Sequence, residues 1–142
     1  MNKLEKANIQ IVKKCVPVAK DVGLSKARKT LRELLSWLDL KNEIKHSEIL
    51  TILDELGNNI LRHSQGGEIC ITVFREGERK AIRMVAEDQG SGITDLSKVM
   101  TPGFSQDKGM GMGLNLLKAL TDDLRIASLI DGGTRVEVWK WI

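Results

Sequence analysis

The sequence predicts an α/β sandwich of two layers, in which one antiparallel or mixed sheet carries helices on one of its faces. The main observation is the order of the predicted elements, β-α-α-β-β-α-β-β. A length of 142 residues suits a single core, so residues 1–142 are predicted to form one domain. The hydrophobic share of 42% and the charged share of 29% are typical of globular proteins and exclude disorder for most of the chain.

The first predicted strand is an alternating, β-branched run at residues 9–12, which can continue to residue 18. Pro17 lies in this continuation and cannot donate a hydrogen bond to a central ladder. The strand should therefore lie at a sheet edge or break there. Leucine and alanine then recur at three- and four-residue spacing over residues 24–38. This spacing predicts a first helix with its basic side outward.

A second helix is predicted from Ser47 to about residue 64, after a polar turn at 39–45. Its apolar stripe consists of Ile49, Ile52, Leu53, Leu56 and Ile60. The helix should end before Gly66 and Gly67, because glycine readily adopts the left-handed and turn conformations that follow helices.

The second half of the chain is predicted to contain four strands and one further helix. Two strand-like runs at 68–74 and 81–86 form a hairpin, and helical spacing resumes at 114–120. Two final strands, at 124–129 and 134–141, flank a glycine turn. No internal repeat or linker interrupts this order, which supports a single domain.

Basic residues are concentrated at the start of the chain. Residues 1–46 carry 11 basic and 5 acidic side chains, whereas the net charge of the whole chain is only +3. Part of this excess is the block Lys26, Arg28, Lys29 and Arg32, which we interpret as the solvated side of the first helix. A docking surface for an acidic protein is the alternative. Aromatic residues make up 4% and tyrosine is absent, so no nucleic-acid partner is predicted.

The cysteines and the lengths of the apolar runs indicate the cellular compartment of the protein. No run reaches about 18 apolar residues and no charged-then-apolar stretch opens the chain, so neither a membrane partner nor a secretory signal is predicted. Cys15 and Cys70 have no CxxC partner, which excludes a disulfide framework or a zinc ribbon. These observations predict a cytoplasmic protein with reduced cysteines.

The first candidate functional segment lies on the second helix. Glu55, Asn59 and His63 are spaced by four residues and therefore share one face, beside the apolar stripe. A carboxylate can accept a proton, and an amide oxygen one turn away can bind a hard cation. Asn58 competes with Asn59 for this role, and a solvated polar face is the alternative for the whole set.

The second candidate segment lies where a predicted strand runs into a loop. It contains Asp88, Gly90 and Gly92. Glycine lets the backbone approach a ligand closely, and the carboxylate can accept a hydrogen bond from an exocyclic amine such as that of adenine. A tight turn without a ligand is the alternative.

The third candidate segment places a glycine at every second position just before the helix at 114–120. It contains Gly109, Gly111 and Gly113, preceded by Lys108. Exposed N–H groups and the positive end of a helix dipole suit phosphate groups. The segment is not a Walker A loop, since the required GxxxxGK[ST] pattern is absent. Flexible hinges in a loop are the alternative.

In this order the three segments resemble the N, G1 and G2 boxes of the GHKL ATPase family, which includes the gyrase, Hsp90, histidine kinase and MutL types. Within it, the chain is similar to the small serine-protein kinases of the RsbT and SpoIIAB type, which act as stressosome switch kinases or anti-sigma factors. The matching stretches are residues 55–60, 67–71, 86–93, 98–100, 103–105 and 140–141.

The resemblance implies a site for ATP and Mg²⁺. Glu55 would be the catalytic base or orienting carboxylate for the substrate hydroxyl, and Asn59 the Mg²⁺ ligand. Asp88 would bind the adenine amine, with support from Thr134 through water. His63 fits the SpoIIAB variant of this motif.

The remaining implied contacts come from glycines and one lysine. The glycines that the resemblance assigns to the nucleotide site are Gly90 and Gly92 at the adenine wall and Gly109, Gly111 and Gly113 at the phosphates. A short lid at 94–108 would close over the nucleotide, and Lys108 at its end would add a positive charge.

The function implied is that of an ATP-dependent serine/threonine-protein kinase. It would phosphorylate a STAS-domain antagonist protein and alternately bind a downstream regulator, either a PP2C-type phosphatase or a sigma factor. The alternative is a nucleotide-binding partner-switching module without phosphotransfer. The presence of Glu55 favours the kinase, because a pure binding module needs no base.

Overall fold

The computed structural model describes residues 9–63, 66–88, 110–128 and 132–142. The strands in these ranges are β1 (Ile9–Val18), β2 (Gly67–Glu76), β3 (Arg79–Asp88), β4 (Asp123–Ser128) and β5 (Thr134–Trp141). The helices are α1 (Asp21–Trp37), α2 (Glu43–His63) and α3 (Met110–Leu120). Their order along the chain is the predicted one. Within these ranges, no helix has both the length and the apolar character needed to cross a bilayer.

The sheet has the strand order β1-β2-β3-β5-β4, and each neighbouring pair is antiparallel. The predicted two-layer sandwich is therefore confirmed. Of the two predicted sheet types, antiparallel and mixed, the sheet is antiparallel. β1 lies at the edge and pairs only with β2 among the described strands, so Pro17 sits where a missing N–H is tolerated. A two-residue turn that includes Gly77, with φ +60°, joins β2 and β3 as a hairpin.

The core lies between the helices and one face of the sheet. Alternate strand residues, such as Ile69, Ile71 and Met84, pack against the apolar stripes of α1 and α2. Leu35 of α1 and Leu53 of α2 are almost fully buried. Burial of each such side chain contributes about 1.5–3 kcal/mol, so this layer holds the helices against the sheet.

The helices begin earlier than the sequence patterns predict. The Lys45 N–H donates to Oδ1 of Asn42 at 3.1 Å, so Asn42 caps α2, and Ser47 lies inside the helix. α3 begins at Met110, four residues before the predicted start. Gly111 and Gly113 consequently lie within α3 and do not precede it, which corrects the predicted loop.

The basic block on α1 divides into two parts. Lys26, Lys29 and Arg32 are exposed, as predicted for a solvated helix side. Arg28 is half-buried, and its Nε lies 2.5 Å from Oδ1 of Asp54 on α2. This ion pair links the two helices, so Arg28 has a structural role that the charge pattern alone did not reveal.

The face of the sheet opposite the helices carries its own small apolar cluster. Trp139 is only 4% exposed and stacks on Phe74, with ring centroids 5.1 Å apart. Its Nε1 donates to Oε2 of Glu137 at 3.2 Å, and Arg83 lies over both rings. Side chains of the strands themselves therefore bury Trp139 on this face.

The prediction of reduced cysteines is contradicted on the same face. The antiparallel register places Cys15 of β1 directly opposite Cys70 of β2, with Cα atoms 4.0 Å apart, and their Sγ atoms form a disulfide. The two residues are 55 positions apart. Strand pairing brings them together, and a search for short cysteine motifs cannot detect such a pair.

Candidate functional site

The predicted candidate face of α2 carries a half-buried carboxylate and a buried amide. Glu55 and Asn59 lie one helical turn apart, with Glu55 half-buried and Asn59 only 8% exposed. Neither Oδ1 nor Nδ2 of Asn59 has a hydrogen-bond partner among the described residues. A buried amide left unpaired costs about 1–3 kcal/mol, and both polar atoms of this amide are available to a ligand. Asn58 is less buried than Asn59.

Gly113 in the first turns of α3 lies directly beside this face. A Cβ atom added to Gly113 would be 2.8 Å from Oε2 of Glu55 and 3.8 Å from Oδ1 of Asn59. Any side chain at this position would therefore press on the Glu55 carboxylate. The close approach of the two helices brings together residues from two of the three predicted segments.

A second group lies at the ends of three neighbouring strands. The backbone N–H of Thr134, the first residue of β5, donates to Oδ1 of Asp88, the last residue of β3, at 3.1 Å. The structure thus joins these two predicted residues directly, while the support through water that the resemblance implies for Thr134 stays a prediction. The bond fixes the position of one carboxylate oxygen at the end of the sheet.

Gly67 lies at the same strand end and was not among the predicted site residues. It was predicted to be a turn glycine after the second helix, but it lies in β2 and pairs with Asp88. An added Cβ would overlap the carbonyl oxygen of Glu87. The pairing of β2 with β3 places Gly67 opposite Asp88, and the sequence pattern alone does not give this pairing.

Several predicted positions lie outside the described residues. They are Gly90, Gly92, Lys108, Gly109 and the lid at 94–108. Gly111 lies in the first turn of α3, where backbone N–H groups lack intrahelical acceptors, as a phosphate site requires. His63 is the last residue of α2.

A family model described as "Histidine kinase-, DNA gyrase B-, and HSP90-like ATPase" matches residues 44–141, which include both groups of site residues. The chain belongs to this ATPase family. Membership supports ATP as the nucleotide and confirms the resemblance stated from the three segments.

The relatives of this chain include a bacterial protein kinase and a bacterial anti-sigma factor. Serine/threonine-protein kinase RsbT of Bacillus subtilis (strain 168) is 33% identical over 128 residues, covering 90% of this chain and 96% of RsbT. Anti-sigma F factor of Clostridium novyi (strain NT) is 28% identical over 128 residues, covering 87% and 89% of the two chains. These alignments span nearly the whole length of both relatives.

A solved structure supports the same fold. The mycobacterial sensor histidine kinase MprB superimposes with a TM-score of 0.53 at 20% identity, covering 67% of this chain and 70% of that one. At this identity the likeness concerns the fold of the ATPase family alone.

Proposed function

We propose that this chain is an ATP-dependent serine/threonine-protein kinase of the partner-switching type. The observation that carries the proposal is the half-buried Glu55 carboxylate, one turn from the buried amide of Asn59 and against Gly113 of α3. A module that only bound nucleotide would need contacts to adenine and phosphate but no carboxylate at this point. The similarity to RsbT, a serine/threonine-protein kinase, supports the same activity.

Asn59 is the residue that would hold Mg²⁺. Its amide oxygen is the kind of hard ligand that this ion prefers, and its burial without a described partner fits a position filled on ligand binding. When bound, the ion supplies charge neutralisation for the phosphate groups. Asn59 would therefore hold the ion at the phosphate groups, one helical turn from the carboxylate of Glu55.

Glu55 would act on the incoming hydroxyl group. Its carboxylate accepts the proton of a serine or threonine side chain as the oxygen attacks the terminal phosphorus of ATP. The terminal phosphoryl group passes to that oxygen and ADP is released. Asp88, held by the Thr134 N–H, would accept a hydrogen bond from the adenine amine.

The acceptor protein is proposed to be a STAS-domain antagonist, and the alternate partner a PP2C-type phosphatase or a sigma factor. The similarity to RsbT and to anti-sigma F factors supports such exchange of protein partners. No nucleic-acid or membrane partner is proposed, and a cytoplasmic location stays a prediction.

Transfer of label from radiolabelled ATP to a purified STAS-domain protein tests the proposal directly. We expect label on a serine or threonine of that protein, dependent on Mg²⁺. Binding of nucleotide and partner without any label would contradict the kinase activity and favour the module that binds without phosphotransfer.

Mg-ATP is expected to raise the melting temperature of the protein, because a ligand that binds only the native state stabilises it by mass action. Asp88→Asn should remove most of this shift, because the oxygen of the amide is held by the Thr134 N–H and its NH2 group, a donor, would face the adenine amine, also a donor. Its oxygen can still accept the Thr134 N–H, so the fold should persist. Thermal denaturation with and without Mg-ATP measures both effects.

Glu87→Gln is the matched control for this prediction, because Glu87 precedes Asp88 but is exposed and paired with Arg135. It should keep the full shift. An unchanged melting curve of the wild-type protein in millimolar Mg-ATP would contradict nucleotide binding itself.

Gly113→Ala is expected to separate stability from activity. The new methyl group would lie 2.8 Å from Oε2 of Glu55, at the end of a side chain that can move away, so the helix forms and the carboxylate is displaced. In a helix, alanine is more favourable than glycine by about 1 kcal/mol. Displacement of a reacting group by about 1 Å, however, can lower the rate of reaction by up to 10²-fold. We expect unchanged or higher thermal stability and phosphate transfer lowered by roughly 10-fold or more.

The same substitution in a Glu55→Gln background provides the control. If Gly113→Ala acts through Glu55, it should cost little further activity in that background. Additive losses in the double variant would contradict the assigned contact.

A further inference from the structure

The open face of the sheet holds a group of three side chains that the proposed kinase activity does not use. We call Cys15, Cys70 and Glu68 the cysteine cluster; their sulfur and carboxylate oxygen atoms all lie within 4.8 Å of one another. Cys15 and Cys70 are directly opposite in the β1–β2 pair. Glu68 precedes Cys70 by two positions and so points to the same face, with its Oε1 3.4 Å from the Cys70 Sγ.

The cluster is accessible from solvent. Cys15 and Glu68 are exposed and Cys70 is half-buried, while the apolar core lies against the opposite face of the sheet. Cys70 and Glu68 also line a pocket of about 240 Å³. Small thiols and metal ions can therefore reach both sulfur atoms without unfolding the sheet.

Cations around this pocket favour negative charge on the cluster. Lys13, Arg83 and Arg135 line it, and Glu87 is the acidic residue of the lining outside the cluster. Arg135 already pairs with Glu87 and Glu137 at 3.1 Å, whereas Lys13 and Arg83 form no ion pair with the residues that the structure describes. Nearby positive charge stabilises the thiolate form of cysteine, and thiolates are the metal-binding form.

We propose that reduction of the Cys15–Cys70 disulfide creates a Zn²⁺ site whose ligands are the two thiolates and the Glu68 carboxylate. In the first step two molecules of a small thiol reduce the disulfide: the S–S bond breaks, each cysteine sulfur gains a proton, and the reductant leaves as its own disulfide. Zn²⁺ then displaces both thiol protons to solvent. Water takes the fourth tetrahedral position, which an exposed site leaves open.

The site exists in one redox state only. In the disulfide neither sulfur can become a thiolate, so Glu68 remains as a single carboxylate ligand. Either the disulfide or the bound ion links the edge strand β1 to β2. The reduced, metal-free protein lacks this link, and its edge strand depends on the backbone ladder and the core contacts alone.

Titration with Co²⁺, a spectroscopic substitute for Zn²⁺, tests the proposal on the full chain. We expect the reduced protein to bind one equivalent with a visible absorption band typical of tetrahedral thiolate coordination, and Zn²⁺ to displace it. The oxidised protein should show no band. Absence of the band in the reduced wild-type protein, or an equal band in the oxidised protein, would overturn the proposal.

Variants then identify the ligands. Cys15→Ser and Cys70→Ser should each abolish the thiolate band, and Glu68→Gln should lower Co²⁺ affinity by about 10-fold or more. Glu87→Gln is the matched control, because Glu87 faces Glu68 across the β2–β3 pair but belongs to the ion pair with Arg135. A band that survives in Cys70→Ser would exclude the assigned ligands, and circular dichroism checks that each variant is folded. None of these measurements depends on nucleotide or on the kinase reaction.

Discussion

Replacement of Glu55 by glutamine is expected to lower phosphate transfer to a STAS-domain substrate by about 10²-fold or more, with little change in nucleotide affinity. Glutamine keeps the size of the side chain and its contact with Gly113 but cannot accept a proton at neutral pH. A base that acts only on the incoming hydroxyl contributes to the transition state and little to the bound nucleotide. Single-turnover transfer rates, together with nucleotide titration, measure the two quantities separately.

Glu43→Gln is a suitable control, because Glu43 lies on the same helix but is exposed in its first turn. It should transfer phosphate at the wild-type rate. If Glu55→Gln also reaches that rate, Glu55 is only a polar residue on the surface of α2, and the catalytic assignment fails.

Asn59→Leu is expected to make the free protein more stable and the enzyme nearly inactive. Leucine has a similar shape and removes a buried amide that has no described partner, so the free energy of unfolding should rise by about 1–3 kcal/mol. The same change removes the oxygen ligand, so Mg²⁺ should no longer strengthen nucleotide binding, and turnover should fall by roughly 10²-fold. Urea denaturation measures the first effect, and nucleotide titration with and without Mg²⁺ measures the second.

Asn58→Leu is the control that tests whether these effects are specific to Asn59. Asn58 is the neighbouring amide and is less buried. It should leave both the Mg²⁺ effect and turnover close to the wild type. Loss of stability in Asn59→Leu would instead indicate that this amide already has a structural partner in the free protein.

Periodicity was sufficient to predict the order of the elements, because apolar residues of both helices and strands face one core. The element ends were harder to predict. α2 begins after Asn42, whose side chain caps it, four residues before the predicted start at Ser47. The apolar stripe that predicted this helix does not mark its first turn, so the pattern leaves the helix end uncertain by a few residues.

The candidate site was predictable where it depends on spacing within one element. Glu55 and Asn59 share a face because they are four residues apart on one helix. The contact of Gly113 with Glu55, and that of Cys15 with Cys70, depends on how two elements pack or pair. Neither packing nor strand register can be obtained from the spacing of residues that lie far apart in the chain.

The hydrogen bond between Asp88 and Thr134 joins strands that lie far apart in the chain. It spans 46 residues, whereas the β2–β3 hairpin that carries Asp88 closes through a two-residue turn. Closing a longer loop costs more chain entropy, and non-local strand pairing is slow compared with hairpin formation. The hairpin alone therefore holds Asp88 without its Thr134 partner, and the hydrogen bond between them requires that β5 has docked on β3.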